Sequence, residues 1–180
     1  MKKLMVMLAA VAMAVGAQAA SVSWTCTNVK DGSGNAINGV AYFVNADTLS
    51  QDALRALSGA AAFTDALSGM YSWTPETAGK YTNADGVANG TLGLADAAAS
   101  KAYIVVFDTA TITDASNYYV TEVKSFDTYT GTETASVKFG SQSTPSQAAG
   151  AWTAVAVPEP TSGLLMLVGL GALALRRRRA

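Results

Sequence analysis

Residues 22–27 alternate larger apolar side chains with hydroxyls. A period of two predicts a strand with Val22, Trp24 and Cys26 turned inward. A turn cluster, Asp31 to Asn35, follows, and residues 37–44 read as a second strand, so the pair is expected to form a hairpin. Over residues 48–67 the period changes. Leu49, Ala53, Leu54, Leu57 and Ala61 recur at steps of three and four, which predicts a helix capped by Asp47 or Thr48 and ended by Gly69. Gly59 offers a point at which that helix could split. Its alanine-rich face suits close packing on a sheet.

Residues 71–99 carry the weakest pattern. Trp73, Thr74 and Pro75 read as a turn, as do Asn83, Ala84, Asp85 and Gly86, and residues 96–101 read as a helical turn. Residues 102–108 are apolar on both faces, which predicts a strand central in its sheet. Residues 117–125 read as one further strand, with a turn at Gly131 and residues 135–139 as its partner. Residues 140–150 are polar and linker-like. Residues 151–156 form a last strand, with Trp152 as its anchor. The fold class expected is α+β or mainly β: an antiparallel sheet or sandwich of about six strands with one helix across one face. No internal repeat of useful length is present; the Ala-Leu-Ser-Gly echo at residues 56–59 and 66–69 reads as helix composition.

The two ends obey different rules. Lys2 and Lys3 precede an apolar run over residues 4–15, and Ala17, Gln18 and Ala19 fit the small-x-small rule. This order predicts a secretory signal helix over residues 1–19, cut between Ala19 and Ala20 by signal peptidase after entry through the Sec translocon. At the other end, Pro158 and Pro160 flank Glu159, residues 163–175 carry no polar side chain, and Arg176, Arg177, Arg178 and Arg179 follow at once. As a helix, residues 161–175 would reach about 22 Å, short of the ~30 Å hydrocarbon core of a bilayer. Snorkelling arginines and local thinning cover part of the deficit. A single C-terminal transmembrane helix, transiently held in the inner membrane, is therefore expected. The four arginines place its end in the cytoplasm and everything before Pro158 outside.

Pro158-Glu159-Pro160, a short membrane segment and a terminal arginine cluster together resemble the PEP-CTERM sorting signal. The resemblance covers residues 157–180 only. It implies recognition at Pro158, Glu159 and Pro160 by an exosortase, a membrane-embedded cysteine transpeptidase, with Arg176 to Arg179 as the orienting cluster. It further implies an exported protein of a Gram-negative-type bacterium, bound for the cell surface or an exopolysaccharide and biofilm matrix. Exopolysaccharide is a candidate partner on that ground. Residues 20–156 are then the exported domain, about which the resemblance says nothing.

Composition narrows what that domain can do. The chain has 180 residues, one cysteine and no histidine. Cys/His zinc sites, Ser–His–Asp triads, Cys–His dyads and an intrachain disulfide are excluded. No cofactor is expected. Between the two ends stand six basic and twelve acidic residues, and the basic ones are scattered. That leaves no basic patch for nucleic acid. Asp108, Asp114, Glu122, Asp127 and Glu133 are the carboxylates available for hydrolysis, but read first as solvated charges. Asp31, Ser33 and Asn35 alternate as calcium ligands do, yet Ala36 stands where the loop needs glycine. Cys26 reads as a small buried hydrophobe. Asn89-Gly90-Thr91 is a glycosylation sequon of little weight in a bacterial protein. Tyr118 and Tyr119 point to opposite faces of one strand. The expectation is a non-enzymatic structural or binding protein. The alternatives are a small secreted carbohydrate-binding domain or hydrolase, and, more remotely, a fibre subunit with an exposed edge strand.

Overall fold

β5 (Ala99–Phe107) is the axis of the fold, because seven of its nine residues are apolar and its last six are buried. A computed structural model describes residues 20–31, 33–139 and 152–155. Around β5 stand β2 (Ala41–Asn45), β3 (Ser72–Trp73), β6 (Asn117–Val120), β7 (Lys124–Asp127) and β9 (Thr153–Ala154), in one six-stranded sheet. β1 (Ser21–Cys26), β4 (Tyr81–Ala88) and β8 (Thr134–Phe139) form a second, three-stranded sheet in the order β4-β1-β8.

The two sheets bury one shared core. Val22, Trp24 and Cys26 of β1 and Val137 and Phe139 of β8 meet Phe43, Ile104 and Val106 from the larger sheet. Trp24 lies 4.9 Å from Phe43 between ring centroids, and Phe43 lies 6.3 Å from Phe139. On the other face of the larger sheet, Tyr103, Val105 and Phe107 pack against Leu54, Phe63 and Leu67. Those last three come from two short helices, α1 (Gln51–Arg55) and α2 (Ala60–Ala66), and the turn that ends α2. The result is mostly β, with both α-helices among the described residues on one face.

Several expectations hold and several need correction. The inward set Val22, Trp24 and Cys26 is buried, and the strand at 102–108 is central. The first hairpin does not form: β1 pairs with β4 and β8, and β2 belongs to the facing sheet. Trp24 and Phe43 meet across the sandwich, so both strands bury their apolar faces without pairing. The expected helix is two helices, because Gly59 takes φ 83°, outside the helical region, and starts α2 afresh. Residues 96–98 form a turn with Ala97 at φ 52°, and β5 begins directly after it, in place of a helical turn.

Residues 117–125 divide into β6 and β7, which pair with successive stretches of β5. Thr121 sits at the division. Its N–H donates to the Ile104 carbonyl, and its Oγ1 accepts from the Ile104 N–H, both at 2.9 Å. A side-chain oxygen thus replaces a backbone carbonyl in the ladder, and the strand is interrupted without leaving a buried donor unpaired. β8 pairs with β1, in parallel, from Ser21↔Thr134 to Cys26↔Phe139, and not with the 117–125 segment. The sheet is therefore mixed rather than purely antiparallel. The signal helix, the 140–150 linker and the C-terminal helix lie outside the described residues. Among the described residues no helix is long and apolar enough to cross a membrane.

Candidate functional site

A cleft of about 380 Å³ opens where β3 and the loop after it run beside β4. Local sequence builds it. Trp73 pairs with Ala41 at the edge of the larger sheet, and the Tyr71 carbonyl accepts the Phe43 N–H at 3.0 Å. These bonds fix two aromatic residues two positions apart along the chain. Opposite them, β4 bulges. Val22 pairs with Val87 but Trp24 pairs with Asn83, so Ala84, Asp85 and Gly86 together face Ser23 alone. Gly86 carries φ 76°, and a Cβ there would stand 2.8 Å from the Ser21 Oγ. Bulges of this kind re-aim side chains. Here Asp85 is exposed in the lining of the cleft. The turn read from residues 83–86 is thus a bulge inside a strand.

The lining pairs apolar faces with acceptors. Tyr71 and Trp73 lie 5.9 Å apart between ring centroids, with their planes 35° from parallel. Both are half-buried, and both rest on Trp24, whose ring centroid is 5.5 Å from Tyr71 and 5.0 Å from Trp73. Asn83 Nδ2 donates to the Tyr71 hydroxyl oxygen at 2.9 Å. Glu76, Thr82 and Asp85 complete the polar side. The Trp73 indole N–H is buried with no acceptor among the described residues. A buried donor left unpaired is costly. A second cleft of about 300 Å³, between Phe43, Met70 and Leu92, shares Tyr71 with the first.

The residues singled out in the sequence fall elsewhere. Asp108 caps a turn, accepting from the Ser116 N–H at 3.0 Å and from Asn117 Nδ2 at 3.0 Å. Asp114 accepts from the Thr111 hydroxyl, and Glu122 pairs with Lys124 at 2.6 Å. Neither they nor Asp127 or Glu133 lines the main cleft. Asp31 accepts from the N–H groups of Ser33 and Asn35 and from the Asn35 side chain, which lowers its pKa. Its oxygens close a turn. Among the described residues, no three His, Cys, Asp or Glu side chains cluster as a metal site.

Cys26 is buried, and burial pushes its thiol up to about 12. Asn89 of the sequon is also buried, with its amide donating to Asp96 at 2.8 Å. Tyr118 is buried against Phe63, while Tyr119 packs on Trp152 across the opposite face. Glu76 was not foreseen as a site residue, and Asn83 and Asp85, with Gly86 a short fragment of calcium-loop type, read first as turn chemistry, since only a bulge within β4 brings them to one cleft with Tyr71 and Trp73.

Of the sorting residues, Ala20 alone is described. It is fully buried, and its carbonyl accepts the Asn89 N–H at 2.9 Å. Ala17, Ala19, Pro158 to Pro160 and Arg176 to Arg179 lie outside the described residues. Before Pro158, the Val155 N–H donates to the Ser116 carbonyl at 2.9 Å, and Trp152 Nε1 donates to the Lys30 carbonyl at 2.6 Å.

Residues 156–179 match the family model of the PEP-CTERM protein-sorting motif. No curated protein and no solved structure matches the chain. The PEP-CTERM motif marks an exported, membrane-transiting protein that an exosortase sorts to the cell surface. It begins one residue after Val155, so Pro158 follows the last hydrogen-bonded residue among the described residues by three positions.

Proposed function

We propose that this protein is a non-enzymatic surface or matrix component whose folded domain binds or builds, and whose tail is an address. The observation that carries the reading is the PEP-CTERM match at residues 156–179, directly behind a folded β domain. Export runs through the Sec translocon. Signal peptidase cuts before Ala20, and the C-terminal helix holds the chain in the inner membrane until the exosortase acts at Pro158-Glu159-Pro160. Arg176 to Arg179 stay on the cytoplasmic side and set the orientation.

The short spacer limits how that enzyme can act. Three residues from Val155 to Pro158 span at most about 10 Å. The exosortase therefore works against the domain surface near β6 and β9, or β9 first lets go. The second route is physically easy, because β9 contributes only two pairs, Asn117↔Ala154 and Tyr118↔Thr153.

A hydrolase is the less supported alternative. Glu76 and Asp85 share the main cleft, but both are solvent-exposed. A general acid for glycoside cleavage needs an apolar enclosure that neither has. The reading is tested by intact mass of the protein from native cells, in membrane and released fractions. Loss of residues 1–19 and of the segment after Pro160 is expected in the released form. A mass that retains Arg176 to Arg179 in every fraction would sink the sorting reading.

A further inference from the structure

We infer that the cleft between Tyr71, Trp73 and the β4 bulge is a binding subsite for a neutral hexose oligosaccharide. The inference deepens the reading of the domain as a binding module. It is independent of how the tail is processed.

Three observations converge on that chemistry. The Tyr71 and Trp73 rings form a half-buried apolar platform, only 35° from parallel. A sugar ring presents an axial C–H face of matching size, and stacking on an aromatic face uses it. Around the platform stand acceptors for sugar hydroxyls: the carboxylates of Glu76 and Asp85 and the amide oxygen of Asn83. Ionised carboxylates are acceptor-only and can take two hydroxyls at once, which suits vicinal diols. Donors stand among these acceptors: the hydroxyls of Thr74, Thr77 and Thr82 and the Lys80 ammonium. The Tyr71 oxygen already accepts from Asn83, so its proton is free to point outward.

Charge decides between sugar classes. Two carboxylates and one ammonium, Lys80, line the cleft, on a domain with twice as many acidic as basic residues. A uronic or sulfated chain would meet a repulsive field. Trp24, 1% exposed beneath both rings, holds the platform in place before binding, so little ordering is lost when a ligand arrives.

The test follows the three indole N–H resonances of the 15N-labelled full chain in detergent micelles. Cellohexaose, maltohexaose and mannohexaose are titrated separately, with polygalacturonate and tetralysine as charged probes. At least one neutral hexasaccharide should move the Trp73 resonance below about 10 mM and leave Trp152 in place. The exposed double variant Glu76→Ala/Asp85→Ala should keep the fold and weaken binding at least about tenfold. No movement with any of the three hexasaccharides would overturn the inference. So would unchanged binding by the double variant, or a response to polygalacturonate or tetralysine alone; tetralysine would make the cleft an acidic peptide groove. None of these results bears on the intact mass, so failure of the subsite and failure of the sorting reading are distinguishable.

Discussion

Replacing Trp152 with alanine should loosen the last strand and leave the rest of the domain intact. The indole N–H donates to the Lys30 carbonyl at 2.6 Å, and its ring packs 6.1 Å from Tyr119. Losing that hydrogen bond costs about 1 kcal/mol, and losing the aromatic pair costs about 1 kcal/mol more. The rest of the hold on β9 is its two pairs at the edge of the sheet beyond β6 and the buried Val155 that follows them. A local loss of about 2 kcal/mol raises the open population of β9 roughly 30-fold. Hydrogen exchange on the full chain in micelles reads this directly. The Val155 amide, bonded to the Ser116 carbonyl, should exchange roughly 30-fold faster in Trp152→Ala. Amides of β5, buried on both faces, should keep their rates. An unchanged Val155 rate would show that the strand is held by something other than Trp152. An equal acceleration of β5 would show that β9 does not open separately, and the argument that it can release the sorting signal would fail. If release does limit access, the same variant should also be processed faster in a pulse-chase.

The remaining predictions concern the core. Gly39→Ala should lower stability by about 3 kcal/mol or more, because a Cβ there would stand 1.6 Å from the Phe107 carbonyl oxygen and force β5 away; a urea midpoint equal to that of the unmodified chain would refute it. Thr121→Val keeps the shape of a buried residue but removes the acceptor for the Ile104 N–H, so a loss of about 1–3 kcal/mol is expected in the same assay, and none would mean the ladder closes some other way. Cys26 has its thiol pushed from 9.0 to about 12 by burial. Above pH 9 the unfolded chain gives up that proton while the folded one keeps it. The stability contribution is therefore complete below pH 9 and is lost as pH rises towards about 12. Cys26→Ala should flatten part of that decline in unfolding titrations. A native thiol that reacts with a disulfide reagent as fast as the unfolded chain at pH 8 would contradict its burial.

What could be read from the sequence, and what could not, follows the range of the interactions involved. Alternation in β1 and the double-faced apolar run of β5 are local patterns, and each named its buried residues correctly. The signals at the two ends are also local, since a translocon or a sorting enzyme reads a linear segment. Pairing is different. Nothing in residues 21–26 says that their parallel neighbour lies more than a hundred positions away, at residues 134–139. A nearer strand, β2, offered an apolar run and a turn of suitable length. It was placed in the facing sheet because both strands carry large aromatic residues, Trp24 and Phe43, that fill the sandwich better from opposite sides than side by side. The candidate site was hidden for a related reason. Asn83, Asp85 and Gly86 have turn composition, and they do bend the backbone, but β1 runs past them and converts the bend into a bulge. Only that conversion carries Asp85 to the same cleft as Trp73, twelve residues earlier and at the edge of the other sheet. A binding surface made this way, from the seam between two sheets, depends on a rigid sandwich on one side and a bulge on the other. It follows that the fold around the cleft should tolerate substitution of its exposed carboxylates far better than substitution of Gly86, whose φ of 76° and closeness to Ser21 hold the bulge in place.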